Sequence, residues 1–332
     1  MPAQPAEDPR VGDLSEGEIL RGILSGLAPS AALVGPGDDA AVLAAPDGRV
    51  VASVDTLVHG PDFRLAWSAP YDLGWKAAAV NLADIAAMGA RPTALLVALA
   101  MPNDTRLSMV EGIARGLRAA CDELAPGCAV EGGDLTVSDT LTIAVTALGT
   151  LEGRDPVRRS GARPGDVVAL AGEAGAAARG LDVLFRRFRD LDGEPVPVAY
   201  DELDPGEIAC VHTQLRPSPP IGLGPVAADA GATAMMDVSD GIALDATRMA
   251  DASGVTIAID SVALGPRRGW AVDGGEDHAL LAAFPPGAAL PPGFRLIGAV
   301  RERGSEPLLV DGEPYAGRAG WDPYRDWDSA TG

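Results

Sequence analysis

The chain of 332 residues is long enough for two domains of ordinary size, and 47% hydrophobic content supports real cores although aromatics make up only 4%. A net charge of -21 argues against nonspecific binding to nucleic acid or to an anionic membrane surface. Three cysteines, Cys121, Cys128 and Cys210, form no CxxC pair and argue against a disulfide framework or a zinc site.

In chain order, Met1 to Asp13 is acidic, rich in Pro and Ala and lacks an apolar core, so residues 1–14 read as a disordered tail and not a signal peptide. Val50 to Val54 reads as a strand that delivers Asp55 at its end. Tyr71 to Met88 is Ala-rich and helical, with Gly89 as its C-terminal stop. Leu95 to Ala100 reads as a buried strand, Leu107 to Leu124 as a helix and Leu141 to Leu148 as a further strand. The longest apolar run, Ala94 to Met101, is too short to span a bilayer, and the chain reads as soluble and cytoplasmic.

A Gly-, Arg- and Pro-rich break at Gly149 to Pro164 separates a first domain, 15–149, from a second, 150–332, where the pattern restarts. There Val167 to Ala171 is a strand, Ala174 to Phe188 a helix and Leu191 to Asp201 a Pro-rich loop. Ala234 to Val238 is a strand ending in Asp237, and Gly241 to Ala252 is a helix. Val255 to Ile259, Leu296 to Val300 and Pro307 to Val310 read as strands. Two α/β sandwiches of similar type fit this alternation, an α+β architecture.

Seven Gly- and Asp-rich segments, read as turns, punctuate the chain, and six of them present carboxylates. They are Gly35–Ala41, Ser53–Thr56, Asn81–Asp84, Glu131–Asp134, Asp237–Gly241 and Gly274–Asp277; the seventh, Arg158–Asp166, is basic. Carboxylates in such numbers suit hard divalent cations, and glycine lets backbone approach a ligand. Each segment alone is equally a plain turn, a strand end or, at Ser239 and Asp240, a helix cap. Asp84 is harder to read that way, because it sits beside Leu82, Ile85 and Met88 on or near a packed helix face and needs a cation or partner. Asp245 reads as structural, and His59, His212 and His278 as surface or packing histidines without ligand spacing. Lys76 is the sole lysine and follows Trp75, so the Gly-Lys phosphate loop is excluded. Any polyphosphate here must be neutralised by metal ions and arginine.

These motifs, in this order, resemble thiamine-monophosphate kinase, a family of the aminoimidazole-ribonucleotide-synthetase-like superfamily. The resemblance runs from about Glu18 to the C-terminus and is most specific across Asn81 to Ala90. It implies a two-domain fold, a homodimer whose N-terminal sheets pair, and ATP, Mg2+ and thiamine monophosphate as ligands. By motif, Asp39, Ser53, Val54 through its carbonyl, Asp55, Asp84, Asp134, Asp237 and Asp240 correspond to magnesium ligands. Gly133, Asp134, Arg159 and Ser239 correspond to ATP contacts, and Glu276 to a contact with the thiamine moiety. Two acceptor motifs depart from the family pattern: His59-Gly60-Pro61-Asp62-Phe63 carries Asp62 where a histidine is usual, and Trp321-Asp322-Pro323-Tyr324 replaces a Trp-Asp-His-Phe run. Asp62 and Trp321 are the acceptor residues expected there. No general base is expected, since the acceptor is itself a phosphate.

Rival readings are another ATP-dependent member of the superfamily or a noncatalytic cation or nucleotide sensor. A selenophosphate synthetase would want a reactive Cys near the N-terminus, yet the first is Cys121. The hydrogenase-maturation relative would want a C-terminal Cys, and the sequence closes on Ser329-Ala-Thr-Gly332.

Overall fold

The computed structural model describes residues 8–27, 32–33, 41, 43–317 and 320. Its first half contains α1 (Glu16–Gly26), β1 (Val51–Val58), α2 (Pro70–Ala87), β2 (Arg91–Met101), α3 (Leu107–Leu124), β3 (Ala129–Val137) and β4 (Thr142–Thr150). The strands form a four-stranded sheet in the order β1-β4-β2-β3, parallel only between β2 and β3. Helices α2 and α3 cover one face, and their backbones touch. A Cβ on Gly74 would fall 1.9 Å from the Ile113 carbonyl oxygen, and one on Gly116 2.0 Å from that of Tyr71, so only glycine permits this approach. Ala77, Ala78, Ala79, Ala83 and Ala86 of α2 are fully buried, which is how a core is closed with so few aromatics.

The second half runs β5 (Val167–Ala171), α4 (Ala176–Arg187), α5 (Pro205–Leu215), α6 (Leu223–Asp229), β6 (Ala234–Val238), α7 (Ile242–Ser253), β7 (Thr256–Ile259), α8 (Arg268–Asp273), β8 (Ala279–Phe284), β9 (Phe294–Arg301), β10 (Leu308–Val310) and β11 (Glu313–Pro314). Its seven-stranded sheet has the order β11-β10-β7-β9-β5-β8-β6, with β5 and β8 buried at its heart. The two halves meet along α2. The Trp75 indole N–H donates to the Pro217 carbonyl at 2.8 Å, and Gly224 lies so close that a Cβ would stand 2.1 Å from the Ala86 carbonyl oxygen.

The bounds expected for α3, β5 and β6 are those observed. Strand β8 carries no alternation because it is buried on both faces, and α5 announces itself through Asp204, whose carboxylate accepts from the N–H groups of Gly206 and Glu207. Two segments expected as turns are regular instead, Ser53–Thr56 within β1 and Glu131–Asp134 within β3, while Asn81–Asp84 lies within α2, as the helical reading of Tyr71 to Met88 expects. The tail expectation also needs correction for its described part. Val11 is buried, its N–H donates to the Thr105 carbonyl at 2.8 Å, and Asp8 accepts from Ser108 N at 3.0 Å, capping α3 where Arg106 offers no capping side chain.

Candidate active site

In β1 the alternation places Ser53 and Asp55 toward α2, while Val54 faces the other way and is 62% exposed. Asn81 fixes this pairing. Its side-chain oxygen accepts from Asp55 N at 3.0 Å, and its amide donates to the Ala77 carbonyl at 2.9 Å. One turn on, Asp84 accepts from the Ser53 hydroxyl at 2.5 Å, and its charge and that of Asp55 act on each other. Across the junction, β6 brings up Asp237, buried and 3.0 Å from Nδ1 of the buried His278.

Three carboxylates from β1, α2 and β6 therefore confront one another. Burial, then the Asp237 charge, pushes the Asp84 carboxyl up to about 7, and burial raises Asp55 as well. His278 is held above its usual range: burial lowers it, and the hydrogen bond and charge of Asp237 more than reverse that. Among the described residues no three His, Cys, Asp or Glu side chains make a ready-made metal cage. The donor set is nonetheless all oxygen, crowded and short of positive charge, which is what a hard cation fits. Asp240 stands at the following turn, bound to Arg248 at 2.5 Å, and its N–H donates to the fully buried Asp245 at 3.0 Å. Burial pushes Asp245 up to about 7. Asp245 thus shapes this turn, as the structural reading expects.

Not every expected ligand joins this group. β1 and β3 are opposite edges of the sheet, and pairing aligns Asp55, Val145, Val97 and Gly133 in one row. Three strand spacings put Gly133 about 14 Å from Asp55 within one chain. Asp134, next along β3, is exposed. Gly133 also has a packing reason, since a Cβ would fall 1.9 Å from the Val97 carbonyl oxygen. Arg159 is exposed on the segment that flanks β6, where Met235 N donates to the Arg158 carbonyl at 3.1 Å. Asp39 and Trp321 lie outside the described residues.

A cavity of about 670 Å3 is lined by Asp62, Lys76, Gln214, Trp270 and Glu276 among others and reaches Ser239, in the turn after Asp237. Gly320, immediately before Trp321, is part of its wall. Glu276 takes a left-handed backbone, φ 72°, and its N–H donates to the Ser239 carbonyl at 2.9 Å. Its carboxylate pairs with Lys76, which is almost wholly buried. Burial pushes Glu276 up, but the Lys76 ammonium and then His278 outweigh it and hold the carboxyl below its usual range. Asp62 accepts from Val58 N at 2.7 Å, and burial raises it. His59 lines a separate cleft with Pro102 and Asp139, and His212 is exposed. A larger cleft of about 790 Å3, between α1, α3 and β3, is walled mainly by Leu, Ile and Val and lacks the acid group.

The residues missed in sequence are Asn81, Lys76, Gln214, Arg248 and His278. Lys76 carried the same signal as Asp84, a charge amid the apolar residues of α2.

Residues 37–151 match the family described as AIR synthase related protein, N-terminal domain. The chain is similar to thiamine-monophosphate kinase of Mycobacterium tuberculosis, 39% identical over 339 residues, covering 97% of this chain and 96% of the relative. It is also similar to that of Corynebacterium glutamicum, 40% identical over 333 residues, covering 95% of each. Among solved structures, AaThiL complexed with AMPPCP and TMP has a TM-score of 0.71 at 29% identity, covering 95% of this chain and 99% of that one. The mixed α/β architecture expected from the motifs is therefore that of these relatives.

Proposed function

This chain belongs to the thiamine-monophosphate kinase family, and we propose from that premise that it transfers the γ-phosphoryl group of ATP in line to the phosphate of thiamine monophosphate, with Mg2+ present. A bond forms from an acceptor phosphate oxygen to the γ-phosphorus, the bond to the β-bridging oxygen breaks, and thiamine diphosphate and ADP leave. The acceptor's second pKa lies near about 6, so at neutral pH it is already anionic and needs no general base.

The observation that carries this reading is the layout of α2. Asp84 stands in the acid group and Lys76 at the cavity, eight residues apart. Eight residues of helix rise about 12 Å, comparable to a phosphorylated two-ring acceptor. With its ring at Glu276, such an acceptor lays its phosphate toward Asp84 and Asp237. Ser53, Asp55, Asp84, Asp237 and Asp240, with Asp39 and the Val54 carbonyl, would hold Mg2+, which would supply the positive charge that offsets the phosphates. Such a site suits Mg2+, commonly held by one or two carboxylates plus substrate phosphates.

Ser239, at the β6–α7 turn, offers ATP outward N–H groups, and Arg159 offers a guanidinium. The first unit, 15–149, supplies β1 and α2, and the second, 150–332, completes the site. Pairing of N-terminal sheets in a homodimer would cover Val54, Leu96 and Leu148 and place Gly133 and Asp134 at the junction. No helix among the described residues is long and apolar enough to cross a membrane, and we place the reaction in the cytoplasm. The decisive experiment is turnover of thiamine monophosphate with ATP and Mg2+, followed as thiamine diphosphate and ADP. Full activity in excess chelator, or none with metal, overturns the reading.

A further inference from the structure

Lys76 is the only lysine in the chain, and its side chain is 6% exposed, against 41% for its partner Glu276. A buried ammonium is costly unless every proton finds an acceptor. Here two do. One goes to Glu276 Oε2, and hydrogen-bond complementarity turns the Gln214 amide so that its oxygen accepts from Lys76 at 3.2 Å while its nitrogen donates to the Ala177 carbonyl at 3.0 Å. Four elements, α2, α5, α4 and the turn before β8, are thereby tied at one point. Glu276 itself is held in a left-handed conformation that L residues avoid, with Gly275 pressed so tightly on Ser239 that a Cβ would fall 1.8 Å from its carbonyl oxygen. Unfavourable backbone retained beside a cavity marks a side chain that must point one way. Lys76 engages Oε2, and the Glu276 side chain, still 41% exposed, lines the cavity.

We propose that Lys76 is a positioning residue for acceptor specificity: it fixes one oxygen of Glu276 so that the other meets the cationic ring of the acceptor. This rests on the reading of thiamine monophosphate as acceptor. Held by one oxygen only, Glu276 would present the other to a positively charged ring, which gives the site a preference for a cationic acceptor. A neutral analogue gains nothing from Oε1, and an anionic one is repelled by it and by Asp62.

The test exploits the single lysine. Protein grown on isotope-labelled lysine gives one side-chain signal, which is expected to shift on titration with thiamine monophosphate and to stay put with an ATP analogue alone. Lys76→Met is expected to raise the acceptor KM about tenfold or more, with the KM for ATP within about twofold. If that variant folds poorly, Lys76→Met/Glu276→Gln removes both charges. It is expected to regain the lost thermal stability while the acceptor KM stays high. A double variant with normal acceptor KM, or a lysine signal blind to the acceptor, overturns the proposal. A wild-type protein that turns over no thiamine monophosphate overturns the parent reading and this proposal with it; wild-type turnover with an unchanged KM in the variants overturns the role of Lys76 alone.

Discussion

The two ends of α2 treat carboxylates in opposite ways. At Asp84 the chain gathers Asp55 and Asp237, none of them paired with a lysine or arginine among the described residues, and the carboxyls of Asp84 and Asp55 are driven up. At Lys76 it supplies its own cation, and the Glu276 carboxyl is held down. A site left electrostatically unfinished is one that an external cation completes. A site finished internally presents a fixed charge to its ligand. Fold stability is better served at the second end than at the first, so the two ends predict opposite responses to the same chemical change.

The largest effect belongs to the unfinished end. Asp84→Asn and Asp55→Asn should each cut kcat by about a hundredfold to a thousandfold, the scale on which removal of one preorganised electrostatic group is felt. Thermal melting of the metal-free variants should show them at least as stable as the parent, because each removes a repelling charge. A variant that keeps near-normal turnover at saturating Mg2+ would show that its residue is no ligand. Glu276→Gln should do the reverse on stability. It strands the buried Lys76, so the melting temperature should fall, and the acceptor KM should rise about tenfold with little change for ATP. Equal melting shifts of the same sign at Asp84 and Glu276 would abolish the contrast.

Much of this contrast was legible in the sequence at one end only. Asp84 showed itself as an acid amid Leu82, Ile85 and Met88, and Asp55 and Asp237 as acids at strand ends. Lys76 carried the same anomaly in the same helix. In the sequence it serves only to exclude a phosphate loop, because its own partners, Glu276 and Gln214, come from 200 and 138 positions further along. Local pattern reports where a charge is buried, not what meets it. The same limit hid β8, whose Ala279–Phe284 run has no periodicity when both faces are covered, and obscured Glu131–Asp134, where Gly133 marks close strand packing on Val97 and not a turn. Turn residues bracketed by strong periodicity, as at α3 and β6, gave bounds that hold.

A smaller effect separates the ends by pH. Because the folded-state pKa of Asp84 is raised from 3.8 to about 7, the folded protein holds that proton more tightly than the unfolded chain. Its contribution to stability is full below the ordinary carboxylate range and is lost as pH rises through about 7. In chelator, melting should therefore fall between pH 5 and 8 by on the order of a few degrees, and Asp84→Asn should flatten the slope. Asp245, raised to about 7 in the same direction, leaves part of it in place. Mg2+ should reverse the trend, since deprotonated carboxylates bind it better. A metal-free melting temperature that climbs across this window would contradict the assignment.

The smallest expected effect tests how far the finished end extends. Asp62 and His59 sit three residues apart on one loop, yet only Asp62 shares the cavity with Glu276, while His59 faces the other cleft against Phe63. Asp62 also closes its own loop by accepting from Val58 N, and burial raises its carboxyl, so it is a weaker reader of a cationic ring than the lysine-held Glu276. Asp62→Asn keeps an oxygen for Val58 N and removes the charge. It should raise the acceptor KM by about twofold to fivefold and leave kcat and the KM for ATP unchanged, the signature of lost ground-state binding. Asp62→Ala should lose more, because the loop itself loosens. His59→Ala should alter neither KM. An acceptor KM that responds to His59 and ignores Asp62 would move the reading edge of the site from the cavity to the cleft behind it.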